Sequence, residues 1–149
     1  MDNIINVSSD QYQKTNTDTV NIRSYQYIQA KLCIDDSFKL FVISVLIGKS
    51  LDKSKIPKEL PKPTETYTRD TYHINKLYFN ILKAVAVDEN KDITVLNDMN
   101  AMIDIWERYA YAGFNELCDW YYDSKVNIDS KLYEVILTNY EKYIGDITD

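Results

Sequence analysis

The side chains that most often carry out chemistry are scarce in this sequence. It has one histidine and two cysteines, so a catalytic dyad or a cysteine–histidine metal site has few residues from which to form. We interpret His73 as a surface or helix-capping residue, and Cys33 and Cys118 as buried free thiols in a reducing compartment. The sequence therefore predicts no catalytic residue, no metal ligand and no cofactor, and no small-molecule substrate is expected.

Pairs of carboxylates three residues apart are the next candidates for chemistry. Asp104 and Glu107 form one such pair, and Glu116 and Asp119 form another. Residues at this spacing share a helix face, where two carboxylates can bind a divalent cation or divide the acid and base roles of a reaction. Solvated carboxylates on an exposed helix face are more common, and we adopt that interpretation.

Aromatic residues are dense in the same part of the chain. The sequence has 13 tyrosines, and the aromatic residues between 106 and 122 occupy helical positions that cannot all point toward one core. Aromatic rings beside carboxylates are typical of protein–protein surfaces, although packing against a second helix would also account for them. The residues predicted to contact a protein partner or a second copy of the chain are Tyr109, Tyr111, Glu116, Asp119 and Tyr122.

A proline-rich connector carries the main local concentration of positive charge. Its three prolines exclude regular helix, and Asp52 and Glu59 are the only acidic residues between 49 and 62. Lysines on a short loop can contact DNA phosphates without reading the bases, whereas a solvated loop is the alternative. The residues predicted to contact nucleic acid are Lys49, Lys53, Lys55, Lys58 and Lys62.

Composition indicates a globular protein of one domain. Hydrophobic residues make up 45% of the 149 and charged residues 27%. The longest apolar run, 38–48, is too short to cross a membrane and predicts a buried helix. The polar N-terminus lacks the pattern of a secretory signal, so a cytoplasmic location is expected. The net charge of −6, concentrated in residues 71–149, argues against a general nucleic-acid binder.

Hydrophobic periodicity predicts a mostly α-helical domain that holds these candidates in place. Residues 1–21 are predicted to form a flexible N-terminal arm, and residues 22–149 a single helical domain. Alternating apolar residues predict an extended or strand-like segment at 22–34. About four helices then follow, over residues 35–50, 70–87 and 97–122 and from 129 to a stop at Gly145.

Three finer features of these elements are also predicted. Residues 88–96 are expected to form a charged turn that could hold a short extended piece at 93–95. Gly113 in the third helix predicts close approach of another helix. The fourth helix is expected to bury a stripe formed by Leu132, Ile136, Tyr140 and Tyr143.

Three segments together resemble a known family. Residues 39–51 form an apolar helix that ends in Ser-Leu before a proline-containing loop, residues 69–82 match the helix after that loop, and residues 106–117 carry a glycine, an apolar residue and then a leucine. In this order the segments resemble the DndE family of small proteins from bacterial DNA phosphorothioate modification systems. The resemblance implies a compact helical protein, often tetrameric, that binds DNA through a basic surface and assists the sulfur-inserting enzymes without being a catalyst.

Two functional hypotheses follow. The first is a non-enzymatic, DndE-like accessory protein of a DNA modification or anti-phage defence complex, with the lysines on phosphate and the aromatic helix on a partner subunit. The second is an acidic protein-binding inhibitor of phage or viral origin, acting as a DNA mimic or anti-defence protein, with a Bcl-2-like protein a weaker version. An enzyme whose site assembles only in three dimensions is a third possibility, and no membrane association is expected.

Overall fold

A computed structural model describes the backbone at residues 4–7, 13–14, 19–20, 23–60, 65–68 and 76–148. Its description of side chains covers residues 23–60, 76–139 and Glu141. The helices in these residues are α1 (Tyr25–Lys31), α2 (Ser37–Ser50), α3 (Lys76–Asn90), α4 (Met99–Tyr122) and α5 (Ile128–Thr148). The predicted mostly α-helical fold is confirmed.

Short strands add a small amount of β-structure. They are β1 (Ile4–Val7), β2 (Gln13–Lys14), β3 (Thr19–Val20) and β4 (Glu65–Thr68). Strand β1 pairs antiparallel with β4, with Ile4 opposite Thr68, and β2 pairs antiparallel with β3. Three of these strands fall within residues 1–21, which the sequence predicted to be an arm, and β4 falls within the connector. The division into an arm and a domain stays a prediction.

Carboxylate and hydroxyl caps determine where the helices begin. The backbone N–H of Phe38 donates to Asp36 Oδ1 over 2.8 Å, and that of Ala101 donates to Asp98 Oδ1 over 3.1 Å. These side chains satisfy backbone donors that have no partner inside the helix. The predicted start of α2 is confirmed, and α4 ends at Tyr122 as predicted.

Helices α2 and α4 cross at two glycines. An ideal Cβ on Gly113 would lie 2.6 Å from the backbone nitrogen of Gly48 and 2.8 Å from the carbonyl carbon of Ser44. A Cβ on Gly48 would lie 2.8 Å from the carbonyl carbon of Tyr109. Because neither position has room for a side chain, the two backbones pack directly against each other, as Gly113 predicted.

The core surrounds this crossing. Leu40, Val45 and Ile47 of α2 are fully buried, which confirms the prediction that this helix is central. Trp106 of α4 is 1% exposed, and its indole N–H donates to the carbonyl oxygen of Leu82 in α3 over 2.6 Å. This bond gives the large ring a polar partner inside the core and ties α3 to α4.

The prediction of a strand-like segment at 22–34 is wrong, because residues 25–31 form α1. The hydroxyl of Ser24 accepts from the backbone N–H of Tyr27 over 3.1 Å, which caps the helix. Tyr25 and Ile28 are buried and Leu32 packs against the core, so residues at helical spacing face inward. Ala30, one of the alternating residues, is exposed. The apolar residues of this segment fit both the alternation of a strand and the spacing of a helix, and packing against the core favours the helix.

Three boundaries also differ from expectation. Residues 93–95 lie in a 3-10 turn (Ile93–Asn97), which Asp92 caps by accepting from the N–H of Thr94 over 2.9 Å. Helix α3 continues to Asn90, and its predicted start at 70 lies outside the described residues. Helix α5 continues through Gly145, so the predicted stop there is wrong. A glycine weakens a helix without necessarily ending it.

Candidate interaction surfaces

The loop after α2 presents exposed lysines on a short turn. Residues 53–55 form one 3-10 turn, capped by Asp52, which accepts from the N–H of Ser54 over 2.9 Å. This hydrogen bond lowers the pKa of Asp52 below its ordinary value. Lys53, Lys55 and Lys58 are all exposed, and the Lys53 side chain retains 76% of its accessible area. Of the five predicted phosphate contacts, these three are exposed, and we call residues 53–58 the lysine loop. The Lys53 ammonium lies 4.0 Å from Glu89 Oε2.

Lys49 does not belong to the lysine loop. Its side chain is 6% exposed, and its ammonium lies 2.9 Å from Asp88 Oδ2 and 3.5 Å from Glu89 Oε2. It also lies over the ring of Tyr109, 5.1 Å from the centroid. Its predicted role in contacting phosphate is wrong, because the charge is buried and already paired. Lys62 lies outside the described residues.

The partners of Lys49 form a polar cluster that joins three helices. The cluster consists of Lys49 from α2, Asp88 and Glu89 from α3, and Tyr109 from α4, whose hydroxyl donates to Glu89. At its edge, the ammonium of Lys91 lies 3.3 Å from Asp88 Oδ1. The buried lysine therefore offsets one of the two negative charges where the helices meet, and Lys91 offsets the other at the edge. We call this set the Lys49 cluster.

Hydrogen bonding and nearby positive charge keep the Glu89 carboxylate of this cluster ionised. Partial burial of Glu89 opposes ionisation, but the hydrogen bond from Tyr109 and the charges of Lys49 and Lys53 outweigh it and lower its pKa. Burial, together with the bond to Glu89, raises the pKa of Tyr109. Tyr109 therefore stays protonated and donates while Glu89 stays charged and accepts. The groups satisfy one another, so these contacts account for the cluster as a link between the three helices.

Sequence reasoning missed Asp88 and Glu89. They lie in the charged stretch that was predicted to be a solvated turn, far along the chain from Lys49. The continuation of α3 to Asn90 puts both carboxylates on a helix that packs beside α2. Nothing in the local sequence distinguishes them from exposed carboxylates, because their role depends on a contact between distant segments.

The aromatic surface predicted on α4 is smaller than expected. Tyr109 is 2% exposed and belongs to the Lys49 cluster, so its predicted contact with a partner is wrong. Tyr111 and Glu116 are half-buried, and Glu116 accepts from the indole N–H of Trp120 over 3.1 Å. Tyr122 is 44% exposed, with its ring packed edge-on against Tyr121. Of the rings proposed to contact a partner, Tyr122 is the most accessible.

Asp119 is exposed but is held by an arginine from outside its helix. Arg23 Nη1 lies 2.9 Å from Asp119 Oδ1, and Nη2 donates to the carbonyl oxygen of Asn115 over 2.9 Å. The Arg23 side chain is only 12% exposed. The predicted partner residue Asp119 is thus part of a link between the start of α1 and the end of α4.

The carboxylate pair at 104 and 107 does not share a solvated face. Asp104 is exposed and accepts from Arg108 Nε over 3.0 Å, whereas Glu107 is buried. Among the described residues, no group of three or more histidine, cysteine, aspartate or glutamate side chains is arranged to hold a metal ion. Asp104 therefore forms an ion pair on the surface, whereas Glu107 lies inside the protein.

The two cysteines differ from each other. Cys118 is a buried free thiol as predicted, and burial raises its pKa to about 12, which lowers its reactivity. Cys33 is exposed, contrary to prediction. It follows α1 with a φ of 56°, in the left-handed turn that ends the helix. His73 lies outside the described residues.

Helix α5 buries Leu132 as predicted, but Ile136 of the predicted stripe faces solvent. Ile128, Leu132 and Val135 pack against the core, and Asn139 is 7% exposed with its amide donating to the carbonyl oxygens of Val135 and Leu46. Ile136, predicted to lie in the buried stripe, is 58% exposed. Tyr140 and Tyr143 lie outside the described side chains.

A second apolar surface of α5 faces solvent. Tyr133 is 66% exposed, Ile136 58% and Leu137 42%. These three residues lie at i, i+3 and i+4, so they form one continuous surface. We call this surface the outer face of α5. Sequence reasoning did not distinguish it, because the inner and outer stripes have the same spacing.

No protein-family model, curated protein or solved structure matches this chain. Within the described residues, none of the helices has the length and apolarity needed to cross a membrane.

Proposed function

We propose that this chain is a non-enzymatic accessory protein of a DNA modification or anti-phage defence complex, with a role like that of the DndE family. It acts in the cytoplasm by binding and contributes no reactive group. DNA contact falls to Lys53, Lys55 and Lys58, while protein contact falls to the exposed parts of α4 and α5. Lys49 and Tyr109 serve as internal supports.

The observation that carries this proposal is the exposure of the lysine loop. Three exposed lysines lie within six residues directly after the central helix, and two of them belong to the turn that Asp52 caps. Such a surface can contact phosphates and favours no base sequence. Further support comes from the family resemblance, because residues 39–51 and 106–117 are the two segments that cross at Gly48 and Gly113. The likeness thus falls on residues that shape the core.

DNA binding tests the proposal directly. Fluorescence anisotropy is measured with intact, nicked and single-stranded DNA at about 50 and 200 mM salt, and binding that weakens with salt is expected. Replacing Lys53, Lys55 and Lys58 together by glutamate should abolish it. The matched control replaces Lys76, Lys125 and Lys131 by glutamate, since these are exposed lysines elsewhere and the change in net charge is the same.

Two results would overturn the proposal. One is anisotropy that stays flat for all three DNAs at low salt. The other is equal loss of binding in the test and control variants, because overall charge and not the lysine loop would then account for the attraction.

The second candidate is an acidic protein that binds another protein, of phage or viral origin. The observation that favours it is the outer face of α5, where apolar side chains are exposed in a region of negative charge. Flat DNA anisotropy together with salt-sensitive binding to a protein would favour this candidate. Under this function, neither the lysine-loop variant nor its control should lose binding to the protein, because both variants make an acidic chain more negative.

A further inference from the structure

The outer face of α5 has the geometry of a docking surface. At about 100° per residue, Tyr133, Ile136 and Leu137 lie within an arc of about 100°. The inner stripe of Ile128, Leu132, Val135 and Asn139 lies on a separate arc, about 120° away around the helix. Because the inner stripe already anchors α5 to the core, the outer residues are not needed to hold the helix in place. Exposed isoleucine, leucine and tyrosine at this spacing are typical anchors for binding a partner.

Negative charges bracket this apolar surface at both ends. Asp129 lies four residues before Tyr133, and Glu141 lies four residues after Leu137, so each is one helical turn away. Both carboxylates are exposed. The nearest described lysine on the helix, Lys131, points to the opposite side from the outer face and lies 3.9 Å from Glu134. A partner surface must therefore meet apolar side chains in the middle and a carboxylate at each end.

This charge pattern disfavours a second copy of the chain. In an antiparallel pair of α5 helices, Tyr133 would lie opposite Leu137 of the second copy, and the same register puts Asp129 opposite Glu141. In a parallel pair, each carboxylate would face its own equivalent. Both arrangements place like charges together at both ends of the contact, which is destabilising.

We propose that the outer face of α5 binds a different protein, through an apolar helical surface flanked at both ends by lysine or arginine. The apolar centre supplies affinity by burying Tyr133, Ile136 and Leu137, and the basic ends fix the register by pairing with Asp129 and Glu141. This proposal goes beyond the DNA contact of the lysine loop and does not depend on it.

A pair of synthetic peptides serves as the probe. Each is an amphipathic helix of about 20 residues with leucines at i, i+3, i+4 and i+7, carrying lysines at both ends in one peptide and glutamates in the other. Anisotropy with the full chain should show the lysine-flanked peptide binding at least about tenfold more tightly than the glutamate-flanked one. No binding of the lysine-flanked peptide at about 100 µM would overturn the proposal.

Three variants test whether the peptide binds the outer face of α5. Ile136→Ser with Leu137→Ser changes no charge and should weaken binding of the lysine-flanked peptide by about tenfold or more. Asp129→Asn with Glu141→Gln should reduce the preference between the two peptides. Ile93→Ser, at a residue 69% exposed outside α5, is the matched control and should bind as the parent does. Equal binding by the parent and the serine double variant would overturn the proposal, because the attraction would then be general.

Sedimentation equilibrium tests the alternative occupant. The parent and the serine double variant should have the same oligomeric state in solution. If the parent were a dimer and the serine variant a monomer, the occupant would be a second copy and the proposal would be wrong. The glutamate variant of the lysine loop should retain peptide binding, and the serine variant should retain any DNA binding, so failure of either proposal can be told from failure of the other.

Discussion

The α2–α4 crossing and helix α5 use their residues in different ways. At the crossing, Gly48 and Gly113 bring two backbones together, and the adjacent Lys49 cluster satisfies its charges internally. On α5, one stripe is anchored and another apolar stripe faces solvent. Stability should therefore be sensitive to change at the crossing and insensitive on the outer face of α5. Binding should show the reverse pattern.

The largest effect is expected from Gly113→Ala. In an exposed helix this change would stabilise by about 1 kcal/mol, because alanine has the higher helix propensity. At the crossing, the new methyl group would overlap the backbone of α2, and we expect a loss of about 2–3 kcal/mol in the free energy of unfolding. Urea denaturation followed by circular dichroism measures it. A stability equal to or above that of the parent would contradict the close approach of the two helices.

The next effect concerns the buried lysine. Lys49→Met keeps the length of the side chain but leaves Asp88 and Glu89 without their shared ammonium group, so we expect a loss of about 2 kcal/mol. Lys58→Met is the matched control, because Lys58 is exposed, and it should change stability by less than about 0.5 kcal/mol. The same denaturation experiment compares them. Equal effects at the two positions would show that the Lys49 cluster adds nothing to stability.

A smaller effect is expected from pH. The pKa of Glu89 is lowered from its ordinary value of 4.5, so the folded state holds fewer protons at this site than the unfolded state does in acid. The resulting stability is present above the unfolded pKa and is lost as the pH falls through the folded pKa. Stability measured from neutral pH to about pH 3 should therefore fall less steeply below about pH 4.5 in Glu89→Gln than in the parent. Glu59→Gln, at an exposed residue, should follow the parent curve, and identical curves for all three proteins would refute this role of Glu89.

The smallest effect on stability is expected on α5. The Ile136→Ser and Leu137→Ser double variant should unfold within about 0.5 kcal/mol of the parent, because neither side chain is buried. Val135→Ser, one position earlier and 7% exposed, should lose about 1–3 kcal/mol. Thermal denaturation of the two variants distinguishes the faces. A large loss in the double variant would mean that the outer face is needed for folding.

Sequence patterns predicted the elements whose signals are local. Asp36 marks the start of α2, and apolar residues at helical spacing indicate the extent of α2 and α4. The prediction failed at α1, where two periods fit the same residues. It failed again on α5, where Asn139 takes an inner position because its amide is satisfied by two carbonyl groups.

The candidate sites were harder to predict than the fold. Lys49 and Lys53 are four residues apart in the sequence, yet the Lys49 side chain is 6% exposed and that of Lys53 is 76% exposed. The difference arises because α3 brings Asp88 and Glu89 to Lys49. Tyr109 is likewise buried by residues distant in the sequence, because it contacts Lys49 of α2 and Glu89 of α3. Single-sequence patterns carry no information about such distant partners.

The crossing at Gly48 and Gly113 also sets an order of events for folding. Its two helices are separated in the chain by the proline-rich connector, α3 and the turn after it, so a long loop must close before their backbones meet. Such a contact slows folding compared with contacts between neighbouring segments. During synthesis, α1, α2 and α3 leave the ribosome before α4, the helix that crosses α2 at the two glycines. The contact between the two backbones can therefore form only after α4 has emerged.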